Sequence, residues 1–298
     1  MQKAQERKNK IISLLIGSAV GDALGVPFEF MSRDSFECWD MVGYGTHNQP
    51  EGTWSDDTSL TLCLAETIAE GFNISLLADK FRRWLMDDYL TAHDSVFDVG
   101  NATSRAIRNI ERGVTPTECG GKNDFDNGNG SLMRIAPLVF YSTKFEDVKA
   151  VSSITHAHEV SVESCYIFVK FLEHLLKGED KKTAYILTSN IGVNKKLKAR
   201  LVPNLAELPE REIMSGGYVL DTLQASLWCF LTTDTYKDAV LKAVNLGEDT
   251  DTTACVTGAI AGLYYGVENI PIKWINTLAR KDLILDIAER MSEKCIEG

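Results

Sequence analysis

The chain has 298 residues, of which 44% are hydrophobic and 24% are charged, and its formal net charge at pH 7 is −11. This hydrophobic content is typical of a globular protein with a sizeable core. The acidic balance argues against nucleic acid or an anionic membrane as the main partner, because both attract clustered lysine and arginine.

The first predicted element is a helix over residues 11–24, which follows a basic N-terminal stretch. This arrangement loosely resembles a secretory signal peptide, but Asp22 lies where a small-residue cleavage site is required. The seven cysteines are scattered and never spaced C-x-x-C, which favours free thiols in a reducing compartment. No run reaches the roughly 18 uninterrupted apolar residues of a membrane span. We therefore predict a cytoplasmic protein.

Apolar residues recur at helical spacing along the rest of the chain, whereas the two-residue alternation of strands is scarce. Glycines and prolines mark the turns between these segments. The longest connector, ECGGKNDFDNGNGS at residues 118–131, is too long to be expected without a function. The pattern predicts one all-α domain over residues 1–298. The predicted helical segments are 11–24, 60–68, 76–85, 167–176, 218–231, 239–246, 256–265 and 283–291.

Two distant segments place acidic and hydroxyl side chains at the start of a predicted helix. The first is WSDDTSLTL, with Ser55, Asp56 and Asp57, and the second is LGEDTDTTACV, with Asp249 and Asp251. Helix capping by either segment is a sound alternative, because Ser and Asp accept hydrogen bonds from free amides and suit the helix dipole. A cap needs only one carboxylate, however, and adjacent carboxylates repel each other.

A bound cation would explain why the acidic residues are tolerated in both segments. Carboxylates and hydroxyls are hard oxygen ligands, which suit Mg²⁺, Mn²⁺ or Ca²⁺ and not a structural zinc. Several carboxylates on two segments are able to hold two ions, as in two-metal hydrolytic sites. The D-x-D-x-D-G pattern of an EF-hand is absent from the sequence.

Six motifs occur in an order that resembles the ADP-ribosylglycohydrolases, over about residues 12–266. They are GSAVGDALGVPFE, WSDDTSLTL, FDVGNAT, GNGSLMRIAPL, THAHEVSVES and LGEDTDTTACVTGAIAGLYYG. The resemblance implies a compact orthogonal helical bundle, a binuclear centre of two Mg²⁺ or Mn²⁺ ions, and hydrolytic removal of ADP-ribose from modified side chains. The metal ligands that it implies are Ser55, Asp56, Asp57, Asp249, Asp251 and Thr252.

The same resemblance implies roles for further residues, each of which has a structural alternative. Glu29 and Asp57 are the candidates for the catalytic acid or base, although an isolated Glu29 is more simply interpreted as an exposed loop residue. Asp98 resembles the acid that faces the guanidinium of ADP-ribosylated arginine, with an N-terminal cap as its alternative. The remaining implied substrate-binding residues are Gly128, Asn129, Gly130, Ser131 and His156, for which a capped turn and a structural histidine are the alternatives.

The sequence thus predicts a metal-dependent hydrolase that releases ADP-ribose from a protein side chain, with arginine favoured. Serine-linked or small-molecule ADP-ribosyl compounds are alternative substrates. A non-catalytic relative, such as a structural lens-type protein or a binder that blocks an ADP-ribosyltransferase, is an alternative of a different class. The predicted partners are an ADP-ribosylated protein, ADP-ribose as product and a cognate transferase, and neither a nucleic acid nor a membrane is expected. Glu248 occupies a place that glycine often holds in the resembling family, beside the predicted site.

Overall fold

A computed structural model describes residues 2–296 of the chain. Within this range there is no β-strand, only three isolated bridges, and eight short 3-10 turns accompany the α-helices. The predicted all-α fold is confirmed. The helices are α1 (Gln2–Gly25), α2 (Asp56–Ala69), α3 (Ile74–Asp87), α4 (Asn101–Glu111), α5 (Phe145–Ser153), α6 (Glu159–Leu176), α7 (Lys181–Ser189), α8 (Lys195–Lys198), α9 (Val219–Leu231), α10 (Tyr236–Asn245), α11 (Thr250–Tyr265), α12 (Ile272–Thr277) and α13 (Lys281–Ile296).

Local sequence signals account for where many of these helices begin and end. The Asn73 side chain accepts hydrogen bonds from two amides at the start of α3, and Asp180 does the same for α7. Gly71 and Gly247 follow the ends of α2 and α10 with φ of +92° and +75°, a conformation that glycine adopts without steric cost. The eight predicted helical segments fall on α1, α2, α3, α6, α9, α10, α11 and α13.

Helix α1 packs against α11 through small residues that bring the two backbones into contact. A Cβ atom added to Gly17 would lie 2.4 Å from the carbonyl oxygen of Gly258, and one added to Gly21 would lie 2.0 Å from that of Ala254. At the end of α1, a Cβ on Gly25 would lie 2.3 Å from the Cα of Asp251. The last turn of α1 is therefore held directly against the acidic start of α11.

Most of helix α1 belongs to the stretch Ala4–Phe28, which is long and apolar enough to cross a membrane by composition alone. Its most apolar window has a mean hydropathy of 1.8, and 89% of that window is buried inside the protein. A central helix of a globular core has the same composition, because both environments exclude water. The burial shows that α1 is such a core helix.

A buried charged cluster joins α2, α3 and α13 on the side away from the acidic segments. The carboxylate of Glu66 accepts hydrogen bonds from Lys80 at 2.6 Å, from the Tyr89 hydroxyl at 2.5 Å and from Arg290 at 3.0 Å. Lys80 is only 1% exposed and also contacts Glu70. Each charge in the cluster has a partner, which is the condition for burying ionised groups.

Candidate active site

The N-terminal ends of α2, α4 and α11 meet at a cavity of about 530 Å³. The turn that follows Val26–Phe28 and the long connector 118–131 complete its wall. The connector thus contributes to this cavity, as its length led us to expect of a functional segment. The carboxylate side chains that line the cavity are Glu29, Asp56, Asp57, Asp98, Asp126 and Asp249.

Ser55 and Asp22 cap the start of α2. The hydroxyl of Ser55 accepts a hydrogen bond from the amide of Asp57 at 3.2 Å. Asp22, which is fully buried on α1, accepts from the amides of Ser55 and Thr58, both at 3.0 Å, and from the Thr58 hydroxyl at 2.6 Å. Since other groups satisfy these donors, capping does not account for the carboxylates of Asp56 and Asp57, which line the cavity.

At the start of α11, the Asp249 carboxylate is not used as a helix cap. Asp249 occupies the N-cap position, but its side chain makes no capping hydrogen bond. Its Oδ2 atom instead accepts from Asn129 Nδ2 at 2.8 Å. Thr252 Oγ1 donates to Asp57 Oδ2 at 3.2 Å, across 195 residues of sequence. The two acidic segments therefore touch each other at one end of the cavity.

The carboxylates at this meeting point have the properties of cation ligands. Asp57 Oδ1, Asp249 Oδ1 and Asp251 Oδ2 are buried and have no hydrogen-bond partner within residues 2–296. Burial, with repulsion from neighbouring carboxylates, raises the pKa of Asp56, Asp57 and Asp251 well above the usual range. Buried anionic oxygens without donors are costly unless a cation balances them. The residues present therefore fit a site for hard divalent cations.

Glu29 belongs to this centre and does not lie in an exposed loop. It is 5% exposed, and its carboxylate lies within reach of one common ion together with those of Asp249 and Asp251. His47 Nε2 hydrogen-bonds Glu29 Oε2, while the Thr46 hydroxyl donates to the Glu29 carbonyl oxygen at 2.7 Å. Burial raises the pKa of Glu29 to about 7, and the nearby acids contribute to the shift. The loop that carries Thr46 and His47 thus fixes both the backbone and the side chain of Glu29.

Asp98 lies beside Glu29 and His47 and does not cap helix α4. Gly100 is the N-cap residue of α4, and the backbone of Asp98 has a φ of +48°. Ligand atoms of Asp98, Glu29 and His47 all lie within 4.8 Å of one another. Burial raises the pKa of Asp98, although the proximity of His47 opposes the shift. A carboxylate held here, at the wall of the cavity, is placed to meet a cationic group.

The glycine-rich loop lies against His156 at the wall of the cavity. A Cβ on Gly130 would lie 2.9 Å from His156 Cε1 and 3.1 Å from Thr103 Oγ1, so only glycine fits without displacing a neighbour. His156 is 2% exposed, and its Nδ1 shares a hydrogen bond of 2.8 Å with Thr155 Oγ1. Burial lowers the pKa of His156 to about 3, which keeps the ring neutral. At neutral pH His156 therefore presents an uncharged polar ring to the cavity.

Two of the candidate residues have hydroxyls that are engaged in contacts within the protein. The Ser131 hydroxyl is completely buried, faces the core and accepts hydrogen bonds from Ser152 at 3.0 Å and from Cys165 at 3.3 Å. The Ser55 hydroxyl, 2% exposed, is engaged at the start of α2. Neither side chain lines the cavity.

Glu248 explains how the start of α11 is tied to the turn that carries Glu29. Its backbone has a φ of +63°, a conformation that suits glycine at this position. Its carbonyl oxygen accepts from the amide of Phe30 at 2.7 Å, and its amide donates to the Met31 carbonyl at 2.8 Å. The Glu248 side chain is exposed and does not line the cavity, so its size leaves the cavity open.

Asp22 and His47 were not predicted to belong to the site, although both contact residues that line it or flank it. Asp22 is the only charged residue in the apolar part of α1, residues 11–24, which was a signal of a buried polar contact. His47 lies in a short loop whose neighbours Tyr44 and Asn48 have positive φ, and nothing in the local sequence places that loop next to Glu29. Only the tertiary fold shows this contact.

Comparisons with known proteins identify the family. The sequence model described as ADP-ribosylglycohydrolase matches residues 3–297. The chain belongs to the ADP-ribosylglycohydrolase family. Among its relatives, the ADP-ribosylarginine hydrolase Tri1 of Serratia proteamaculans is 35% identical over 96% of this chain and 80% of the relative. The ADP-ribosyl-[dinitrogen reductase] glycohydrolase of Rhodospirillum rubrum is 29% identical over 92% of this chain and 91% of the relative.

A solved structure supports the same assignment at the level of the fold. The protein described as an ADP-ribosylglycohydrolase-related protein complex aligns with a TM-score of 0.86 and 30% identity, covering 98% of this chain and 99% of that one. The resemblance inferred from the six motifs is thereby confirmed. In this ADP-ribosylglycohydrolase, the motifs come from distant parts of the sequence and all six contribute residues to one cavity.

Proposed function

We propose that this ADP-ribosylglycohydrolase hydrolyses the bond between ADP-ribose and an arginine side chain of a modified protein. One structural observation carries the proposal: two acidic segments meet in a cavity with buried, unpartnered carboxylate oxygens. The names of the relatives from Serratia proteamaculans and Rhodospirillum rubrum support the substrate class. Asp98 supports the arginine linkage, because a half-buried carboxylate is a suitable partner for a planar guanidinium.

The proposed cofactor is a pair of Mg²⁺ or Mn²⁺ ions. When bound, the ions polarise a water molecule and orient the ribose hydroxyls. The Ser55 hydroxyl accepts one hydrogen bond and retains a second lone pair for an ion. The residues that would hold the ions are Ser55, Asp56, Asp57, Asp249, Asp251 and Thr252. The Asp57 carboxylate and the Thr252 hydroxyl, one from each segment, already contact each other.

The protein's own groups have three tasks in the reaction. A carboxylate, Glu29 or Asp57, takes a proton from the water whose oxygen forms a bond to C1 of the ribose. The bond from C1 to the guanidine nitrogen breaks, and that nitrogen keeps the electron pair and leaves as a strongly basic guanidine. The guanidine takes up the proton that the carboxylate received from the water, and the carboxylate is restored. Asp98 holds the guanidinium until then. His47 keeps the Glu29 carboxylate directed into the centre.

The remaining assignments complete the proposal. We propose that the backbone of Gly128, Asn129, Gly130 and Ser131 surrounds the pyrophosphate, supported by the close approach that glycine permits, with His156 beside it. Residues 1–298 are proposed to form one domain, supported by the family match over 3–297 and by one hydrophobic core that extends from α1 to α13. A cytoplasmic location and a cognate ADP-ribosyltransferase as biological partner are part of the same proposal. In the described chain all seven cysteines are buried and free, which supports a reducing compartment.

The test is to incubate the purified protein with arginine-linked and serine-linked ADP-ribosyl proteins, with Mg²⁺, with Mn²⁺ and with a chelator. We expect metal-dependent release of ADP-ribose from arginine. Asp56→Asn and Asp251→Asn should abolish release and lower the metal stoichiometry while the helical circular dichroism persists. Faster release from serine would overturn the arginine assignment. Binding of an ADP-ribosyltransferase without any hydrolysis would favour the non-catalytic alternative.

A further inference from the structure

Arg105 is the only lysine or arginine among the described residues that line the acidic cavity. It lies on α4, one turn after the helix begins, and its side chain is 60% exposed. Its Nη2 atom donates to Asp126 Oδ1 at 2.5 Å. A guanidinium has five N–H donors, so this contact leaves most of them available. An open cation at the mouth of a cavity lined by carboxylates is a feature that the proposed chemistry at the metal centre does not use.

The charge of the ligand makes this cation significant. The pyrophosphate of ADP-ribose is an anion that must enter a cavity with six carboxylate side chains on its wall. The proposed metal ligands account for Asp56, Asp57 and Asp249, whereas Asp126 lies outside their contacts and remains a negative charge beside the glycine loop. Like charges at short range in a partly dehydrated site oppose binding. A cation on the loop side of the cavity would reverse that local repulsion.

Arg105 is next to the loop that is proposed to hold the pyrophosphate. Its partner Asp126 comes two residues before Gly128, and Thr103 on the same helix lies 3.1 Å from the position of a Cβ on Gly130. The first turns of α4 therefore face the glycine loop. A guanidinium in this position is able to reach from Asp126 to a ligand on the loop by rotation of its own side chain.

Asp126 does not need Arg105 in order to stay in place. Its Oδ2 atom accepts from the Asn123 amide at 2.9 Å and from Asn123 Nδ2 at 3.0 Å. The backbone hydrogen bond of Asn123 is the main cause of the lowered pKa of Asp126, and Arg105 contributes less. The ion pair is thus a contact that Arg105 is able to exchange without freeing the connector.

We propose that Arg105 binds the pyrophosphate of ADP-ribose, exchanging or sharing its contact with Asp126 when the ligand enters. The inference rests on the proposed function for the class of ligand, and it adds a substrate-binding residue outside the glycine loop. Asp126 then acts as a competitor for the guanidinium. A purely structural ion pair would give both partners the same effect on the protein, whereas competition gives them opposite effects on binding.

The experiment measures the affinity of the full-length, metal-loaded protein for ADP-ribose by calorimetric titration at low and high salt. Arg105→Gln should weaken binding roughly three- to tenfold, the range for a partly exposed charge-assisted contact, and should reduce the salt dependence. Asp126→Asn should tighten binding, because it removes a negative charge and releases the guanidinium. Arg108→Gln, an equally conservative change at an exposed arginine of the same helix that does not line the cavity, is the matched control.

Hydrolysis of an arginine-linked substrate supplies the second measurement. Arg105→Gln should raise KM more than it lowers kcat, with Arg105→Lys intermediate. Unchanged ADP-ribose affinity in Arg105→Gln, or weaker binding in Asp126→Asn, would overturn the inference. These failures are distinct from failure of the proposed function, in which the wild-type protein binds ADP-ribose but releases none from arginine. A wild-type protein that does not bind ADP-ribose at all would overturn both.

Discussion

Removal of the Asp22 carboxylate should destabilise the protein and also weaken metal binding at the proposed centre. Asp22 accepts from two backbone amides, of Ser55 and Thr58, and from the Thr58 hydroxyl, at a position with no solvent exposure. The hydroxyl is able to rotate towards another acceptor, but the two amides are fixed. A buried donor left unsatisfied costs about 1–3 kcal/mol, so Asp22→Ala should lower the free energy of unfolding by about 2–6 kcal/mol.

Asp22→Asn provides the milder companion variant. Its amide oxygen keeps the contacts to Thr58, and it removes the cost of ionising a buried acid, since burial raises the pKa of Asp22 to about 6. We therefore expect a loss of only about 1 kcal/mol. Urea unfolding measures both values, calorimetric titration with Mn²⁺ measures the affinity of the centre, and Ser18→Ala on the same helix is the control. An Asp22→Ala protein that unfolds like the wild type and binds Mn²⁺ normally would refute the conclusion that Asp22 holds the start of α2 in place.

Three further variants test separate parts of the site and fold. Asp98→Asn should reduce turnover of arginine-linked substrate far more than affinity for free ADP-ribose, and an equal loss in both assays would assign Asp98 a structural role. Gly130→Val should sharply weaken ADP-ribose binding in calorimetry while the metal affinity of the free protein changes little, and a joint loss would make the loop a support for the whole centre. Glu66→Gln should lower stability to urea at pH 7. Burial raises the pKa of Glu66, but hydrogen bonds from its partners outweigh it and leave the pKa lowered, so this contribution exists above about pH 4.5 and is lost on acidification. The difference between variant and wild type should therefore shrink at pH 4, and a constant difference would contradict the linkage.

The sequence predicted the long helices because their apolar periodicity extends over several turns. The eight predicted segments did not include α4, which has eleven residues, or α5, α7, α8 and α12. The last four have nine, nine, four and six residues and so repeat the apolar pattern too few times. The boundaries near Gly71 and Gly247 were predictable, since glycine after a helix has a local steric cause.

At the candidate site, features with a local cause were likewise predictable from the sequence, and contacts between distant residues were not. The pairing of hydroxyls with carboxylates near Asp57 and Asp251 is visible within a few residues, and it indicated oxygen ligands. The support of α2 by Asp22 spans 33 residues, and the loop of His47 meets Glu29 only after both turns have folded. The Ser131 hydroxyl also faces the core, a direction that residue type does not reveal.

The backbone contact between α1 and α11 has a consequence for the choice of ion. Helix α1 meets the start of α11 backbone to backbone at Gly21 and Gly25, and its Asp22 also binds the amides at the start of α2. The positions of Asp57 and Asp251, one on each proposed ligand segment, therefore both depend on the main chain of α1. Ca²⁺ needs ligands at about 2.3–2.6 Å in a flexible shell, whereas Mg²⁺ accepts a tight one at about 2.0–2.1 Å. Two ligand segments that cannot move apart would disfavour the larger ion. If the two ions proposed above bind here, weak binding of Ca²⁺ would follow from Gly17, Gly21 and Gly25, none of which lines the cavity.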